Sequence, residues 1–131
     1  LRVGLVARGQ RACDVCSNVE QTFAGRISVH AFAGVPTAQG EAAVYIAEVF
    51  AAGVNKWRGV QYLMDQHNIT AEEVACSGDE INDLAMLQAA GCGIAMGNAV
   101  DQAKAAADRI TLPNTQDGVA HAIDKLLDGS W

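Results

Sequence analysis

The sequence has little proline, few aromatic residues and little positive charge. Two prolines, 5% aromatic residues, and nine Lys and Arg residues against fifteen Asp and Glu residues give a formal net charge of −6. This acidic balance argues against nucleic acid or an anionic membrane surface as the main partner. The longest apolar stretch, AAVYIAEVFAAGV, contains Glu48 and is too short to span a bilayer. Because nothing at the N-terminus resembles a signal peptide, we expect a cytosolic, cytoplasmic protein.

Cysteine is present but does not form a complete metal-binding pattern. Of the four cysteines, Cys13 and Cys16 form one C-x-x-C pair. Such a pair can be redox-active or half of a zinc site, but the sequence contains no second pair or histidine cluster that would complete the site. We therefore interpret the cysteines as small core hydrophobes. The apolar surroundings of Cys76 and Cys92 predict that both lie in buried strands.

At 131 residues, half of them apolar, the chain can bury a real core but is small for a complete enzyme of most α/β families. From residue 53 onward, short apolar segments alternate with amphipathic ones. The apolar segments predict strands at 74–77, 92–97 and 109–112. Helices are predicted at 55–67, 83–90, 100–108 and 117–127, with a short capped turn at 70–73. Short apolar strands joined by helices indicate a parallel sheet with flanking helices.

The spacing of apolar residues also predicts which side chains of these helices face inward. In the helix at 55–67, the predicted inner residues are Trp57, Val60, Leu63 and Met64. In the helix at 117–127, they are Val119, Ile123, Leu126 and Leu127. Gly91 is predicted to close the helix at 83–90 in a left-handed conformation.

Residues 1–52 have a different character. A strand is predicted at 1–7 and a helix at 12–24. Residues 26–35 alternate as a strand does, whereas 41–54 fit either a strand or a helix. Because the turn-forming segment PTAQGE separates them, we interpret the two as an antiparallel hairpin. The change near Gly53 predicts two domains, 1–52 and 53–131.

An acidic cluster, GDEINDLAML, follows the predicted strand at 74–77. Asp79 lies just beyond the strand, and Asn82 and Asp83 lie where the next helix begins. Ligands of open parallel sheets bind beyond the carboxyl ends of the strands, and carboxylates there suit Mg²⁺. The alternative is that Asp83 only caps its helix and Asp79 only makes a turn. The cluster alone favours neither interpretation.

Four segments occur in order: GDEINDLAML, AAGCGIAMGNA, AAADRIT and NTQDGVAHAI. Together they resemble the C-terminal half of the haloacid dehalogenase (HAD) superfamily, most closely its Cof-type phosphatases. The resemblance covers residues 53–131 and implies an α/β fold: a partial HAD-like Rossmannoid core, preceded by a β-hairpin remnant of a cap domain. It implies Mg²⁺-dependent hydrolysis of small phosphorylated metabolites.

The resemblance implies roles for four residues. Asp79 would bind Mg²⁺ directly, and Asp83 would orient the metal shell. Asn82 would donate a hydrogen bond to the substrate phosphate. Lys56 would neutralise the nucleophile and the transferring phosphoryl group, although Trp57 follows it where the family usually has glycine. Without the resemblance, Lys56 would be interpreted as a solvated surface lysine.

The family's nucleophile motif, D-x-D at the end of an N-terminal strand, is absent from the sequence. We therefore expect a truncated or split phosphatase, inactive as an isolated chain and with weak or no Mg²⁺ binding. The alternative is a free-standing, non-catalytic HAD-like module for binding or assembly. In the family, the nucleophile strand lies beside the strand that ends at Gly78. We expect that this edge is covered by a homodimer, or that segment 1–7 or the hairpin packs there.

Overall fold

A computed structural model describes the backbone of residues 3–8, 10–33 and 44–131, and the side chains of residues 3–6, 14–30 and 46–131. The predicted turn at 36–41 and the side chain of Cys13 lie outside the described residues. The chain separates into two compact units, Leu1–Val54 and Asn55–Trp131. No helix within the described ranges has both the length and the apolar character needed to cross a bilayer.

The first unit contains an antiparallel sheet and a helix. Its elements are strand β1 (Val3–Arg8), helix α1 (Gln10–Thr22), strand β2 (Ile27–Ala33) and strand β3 (Val44–Ala51). The strand order is β1-β3-β2. Strands β2 and β3 pair antiparallel, with Val29 opposite Val49, which confirms the predicted hairpin and identifies the ambiguous segment as a strand.

One face of this sheet is apolar and lies against α1. Side chains from both line a cavity of about 290 Å³: Val3, Leu5, Val15, Cys16, Val19, Phe23, Ile27, Val29, Ala47 and Val49. Among the described side chains of this unit, only Ala47 is buried, while Val3 is 55% and Phe23 42% exposed. Helix α1 therefore covers the apolar face only in part.

The second unit is built on a parallel sheet of order β4-β5-β6. Its elements are α2 (Lys56–His67), β4 (Ala75–Gly78), α3 (Leu84–Ala89), β5 (Cys92–Ala95), α4 (Asp101–Ala106), β6 (Arg109–Ile110) and α5 (Gly118–Leu127). The parallel pairs, such as Ser77 opposite Ile94, confirm the predicted sheet. Each predicted helix and strand of this region is present, with ends that differ by a few residues.

Local capping signals fix where α2 begins and ends. The Asn55 side chain accepts a hydrogen bond from the Arg58 amide at 3.1 Å, which satisfies one of the free donors of the first turn. Asn68 adopts the left-handed conformation, with a φ of 52°, and closes the helix. Lys56 is therefore the first residue of α2.

The core of the second unit surrounds β5, α3 and α4. Its buried cluster consists of Leu87, Ala95, Met96, Ala99 and Ala103. Leu87 and Ala95 are at most 1% exposed. Full burial of a side chain of leucine or methionine size contributes about 1.5–3 kcal/mol. This core holds the carboxyl end of β5, and through the sheet that of β4, in a defined position.

The prediction that Val119, Ile123 and Leu127 lie on the inner face of α5 is wrong. Gly118 and Ala122 are buried, whereas Val119, Ile123 and Leu127 are 51%, 49% and 82% exposed. A Cβ at position 118 would lie 2.7 Å from the Leu112 carbonyl carbon. The backbones approach so closely that only glycine fits at position 118, and this close packing outweighs the preference for burying large apolar side chains.

Two smaller predictions in this unit are also wrong. Leu63 of α2 is 58% exposed and does not belong to an inner face. Helix α3 ends in an extended residue, Ala90, and Gly91 does not have a positive φ. A Cβ at position 91 would lie 2.6 Å from the Glu72 carbonyl carbon, so glycine is needed there for close approach, not for handedness.

Strand β1 pairs with β3 and not with β4. The prediction that segment 1–7 or the hairpin joins the sheet beside β4 is therefore wrong. Within the ranges that the structure describes, β4 pairs only with β5. β1 finds its antiparallel partner, β3, within its own unit.

Candidate active site

The acidic cluster lies at the carboxyl end of β4. Asp79 follows β4 directly, and a single 3-10 turn, Ile81–Asp83, leads into α3. The amide of Val100 donates to the Asp79 carbonyl oxygen at 3.0 Å, which ties this loop to the residue before α4. The loop position agrees with the general rule that ligands of open α/β sheets bind beyond the carboxyl ends of the strands.

Asp83 is the centre of the loop. It is 2% exposed. Its Oδ2 accepts hydrogen bonds from the amides of Asp79 at 2.9 Å and Glu80 at 3.1 Å. Its Oδ1 accepts from Lys56 Nζ at 2.5 Å. One carboxylate therefore closes the turn and connects it to the start of α2.

Gly78, the last residue of β4, leaves room for this carboxylate. A Cβ at position 78 would lie 2.7 Å from Asp83 Cγ and 2.8 Å from its Oδ2. Any larger residue would force the Asp83 side chain to move. The glycine before Asp79 is thus a packing requirement of the loop.

Burial raises the pKa of Asp83, but the hydrogen bonds from Lys56 and from the amides of Asp79 and Glu80 lower it. The lowering effects dominate, so the pKa of Asp83 lies below its ordinary value and the carboxylate stays ionised. The Lys56 side chain is 51% exposed. Since an ammonium group has three N–H donors, Lys56 keeps donors for an anion besides the one given to Asp83.

The Asp79 carboxylate has a different hydrogen-bond partner, Asn98, from the loop after β5. Asn98 Nδ2 donates to Asp79 Oδ2 at 3.4 Å, and Asn98 Oδ1 accepts from the amide of Asn114 at 2.8 Å. The sequence reasoning did not identify Asn98. The signal was available, because Asn98 follows the carboxyl end of β5 just as Asp79 follows that of β4.

Asn82 carries an unsatisfied polar atom. Its Oδ1 is buried and has no hydrogen-bond partner among the described residues. A buried acceptor without a partner costs about 1–3 kcal/mol. A buried polar atom of this kind is completed by a water molecule or an ion, or marks a catalytic role.

The oxygen atoms of the acidic loop can be compared with the ligands that Mg²⁺ prefers. Both Asp83 oxygens already accept hydrogen bonds, whereas Asp79 has lone pairs to offer and Asn82 Oδ1 adds a neutral oxygen. Within the described residues, no group of three His, Cys, Asp or Glu side chains could hold a metal ion. Mg²⁺ is often held by one or two carboxylates, with water and phosphate completing the octahedron. The residues therefore fit a partial Mg²⁺ site.

Two known proteins contain a similar segment. The chain is 45% identical over 76 residues to the 5-amino-6-(5-phospho-D-ribitylamino)uracil phosphatase YitU of Bacillus subtilis (strain 168), which covers 58% of this chain and 28% of that protein. It is 41% identical over 76 residues to the chloroplastic endoribonuclease YBEY of Arabidopsis thaliana, which covers 58% of this chain and 13% of that protein.

The fold agrees with these matches. A haloacid dehalogenase-like hydrolase from Bacteroides thetaiotaomicron has a TM-score of 0.74 and 36% identity, covering 95% of this chain and 43% of that chain. The chain spans less than half the length of these proteins. A family described as haloacid dehalogenase-like hydrolase matches residues 11–123. Together with the site geometry, this match shows that the chain belongs to the haloacid dehalogenase-like hydrolase family.

Proposed function

We propose that the chain supplies the charge-stabilising half of a Mg²⁺-dependent phosphohydrolase that acts on small phosphorylated metabolites. The main support is Asp83, which joins Lys56 to the loop of Asp79 beyond the carboxyl end of β4. The similarity to a Bacillus phosphatase named for a phosphorylated ribitylamino-uracil supports a small phosphorylated substrate.

In phosphoryl transfer to a carboxylate, a carboxylate oxygen bonds to phosphorus while the bond to the leaving oxygen breaks. Negative charge is shared by the phosphoryl oxygens during this step. Lys56 would stabilise that charge with its free N–H donors, and Asn82 would donate from Nδ2. Mg²⁺ held by Asp79 would supply further positive charge at the phosphate oxygens.

The attacking carboxylate is the part that these residues do not supply. The sequence has no D-x-D motif, the Asp83 carboxylate is occupied by three donors, and Asp79 is assigned to the metal. We therefore assign the nucleophile to a polypeptide segment other than these 131 residues. The working enzyme would be a split or longer form.

The edge of β4 opposite β5 is our proposed place for that segment. The amides of Cys92 and Met96 donate to the carbonyls of Val74 and Gly78. Because alternate residues of a parallel strand bond to opposite sides, the backbone groups of Ser77 point away from β5. A strand that carries D-x-D would pair there. Without it, we propose that a second copy of the chain covers the edge, giving a homodimer.

Complementation tests this proposal. The isolated chain should hydrolyse p-nitrophenyl phosphate no faster than background at any Mg²⁺ concentration, because losing a covalent nucleophile costs several orders of magnitude in rate. A polypeptide with a D-x-D strand should produce activity, and the same polypeptide with N-x-N should not. Asp79-dependent hydrolysis by the chain alone would contradict our assignment of the nucleophile.

Metal binding by the isolated chain should be weak, in the millimolar range, because a single carboxylate is available. Chemical-shift titration with MgCl₂ at constant ionic strength measures such affinities. Asp79→Asn should abolish the binding, whereas Asp101→Asn, an exposed residue of α4, should not change it. Tight binding, or binding that persists in Asp79→Asn, would contradict the site.

The second candidate function is a non-catalytic HAD-like module for binding or assembly. Its support is the similar segment in a protein named as an endoribonuclease. This module would bind Mg²⁺ or assemble. It would not hydrolyse a phosphorylated substrate, even when a D-x-D polypeptide is added. Light scattering measures the assembly, and a monomer at every concentration would contradict the homodimer.

A further inference from the structure

Asn98 connects the Asp79 carboxylate to the loop before α5. Its Nδ2 donates to Asp79 Oδ2 at 3.4 Å, and its Oδ1 accepts from the Asn114 amide at 2.8 Å. Both ends of the carboxamide are therefore used. Among the described residues, Asn98 is the only side chain that hydrogen-bonds to this carboxylate.

The backbone on both sides of Asn98 is fixed by the core. The amide of Gly97 donates to the Leu112 carbonyl at 3.2 Å, and the amide of Ala99 donates to the Met96 carbonyl at 2.9 Å. Met96 and Ala99 are 7% and 5% exposed. An exposed side chain on such a backbone can reach few positions, and one of these is the contact with Asp79.

We propose that Asn98 is a positioning residue for Asp79, an inference that rests on the metal site in the proposed function. By holding Oδ2, Asn98 sets the orientation of the carboxylate and leaves Oδ1 directed to a divalent cation. The Asn114 amide in turn fixes the carboxamide, so that its NH₂ group faces Asp79. Asn98 thereby links the loops after β4, β5 and β6 around one carboxylate.

The expected effect is on metal affinity. Residues that orient a metal ligand typically contribute about 10–100-fold to affinity. The 3.4 Å contact is long for an N–H···O hydrogen bond, so Asn98→Ala should weaken Mg²⁺ binding by about tenfold, at the low end of that range.

The experiment uses chemical-shift titration of the 131-residue chain with MgCl₂, and broadening of amide signals by Mn²⁺ as a second measurement. Asn98→Ala should weaken binding, while thermal unfolding changes little. Asn114→Ala is the matched control, since it keeps the backbone amide that donates to Asn98, and it should bind Mg²⁺ as the wild type does. Asn114→Pro removes that donor at the first position of a 3-10 turn, where proline is tolerated, and should weaken binding less than Asn98→Ala.

Hydrogen exchange at the Asn114 amide separates positioning from a purely structural role. Faster exchange in Asn98→Ala with unchanged Mg²⁺ affinity would overturn the proposal, because Asn98 would then only tie the loop. Two results together would support the proposal: Asp79→Ala abolishes the Mg²⁺ binding seen in the wild type, and Asn98→Ala binds Mg²⁺ more weakly than the wild type. Wild-type binding that does not depend on Asp79 would reject the metal site of the proposed function, and the role of Asn98 with it.

Discussion

The two units bury their apolar residues to different extents. In the second unit, Leu87, Ile94 and Ala95 are at most 2% exposed, whereas in the first Val3, Leu5 and Val15 are between 37% and 55% exposed. Both units have regular strands and amphipathic segments. This difference in exposure shows that an apolar face does not become a core until a second layer covers it.

The two units also differ in the polarity of their described side chains. In the candidate site, Asp83 is buried and accepts hydrogen bonds from two loop amides and from Lys56 of α2, which together form its supporting layer. The described cavity of the first unit is lined by apolar side chains. A precise site needs such a supporting layer.

The largest effect is expected for Ile94→Ala in β5, which tests the difference in burial between the two units. Ile94 is 2% exposed, so its truncation should cost about 2–5 kcal/mol. Val6→Ala in β1, at 68% exposure, should cost less than about 1 kcal/mol. Tryptophan fluorescence in urea follows the second unit, because Trp57 and Trp131 both lie there, and far-UV circular dichroism follows the whole chain. Equal costs would contradict the contrast.

Gly78→Ala tests how closely β4 packs against Asp83 in the second unit. The added Cβ would collide with the Asp83 side chain, which should cost about 1–3 kcal/mol and disturb Mg²⁺ binding. Gly59→Ala is the control: Gly59 lies in α2 with nothing within 4 Å of the added Cβ, and alanine should stabilise it by about 0.5–1 kcal/mol. Urea unfolding measures both, and the same sign for the two would refute the packing role of Gly78.

The smallest effect is expected at the exposed side of α5. Leu127→Ala, at 82% exposure, should change stability by no more than about 0.5 kcal/mol. Ala122→Leu, on the buried side of the same helix, should cost about 1–3 kcal/mol. Thermal unfolding of both variants measures the difference. A larger loss for Leu127→Ala would show that another surface covers this residue in solution.

Much of the second unit could be predicted from local patterns. Short apolar segments predicted its strands, period-3.6 apolar spacing predicted its helices, and GDEINDLAML predicted polar residues beyond the end of β4. The inward side of α5 could not be predicted from spacing, because the close approach at Gly118 depends on where Leu112 lies in the folded chain. The pairing of β1 with β3 is likewise a choice between partners distant in sequence.

Asp79, Asn82 and Asp83 are neighbours in the chain and follow a strand, so their proximity could be inferred from the sequence alone. Their contacts depend on the tertiary fold: Asp83 contacts Lys56, 27 residues away, and Asn98, 19 residues from Asp79, donates to its carboxylate. Such contacts depend on how helices and strands pack. Local patterns carry no information about distances between residues that meet only through packing.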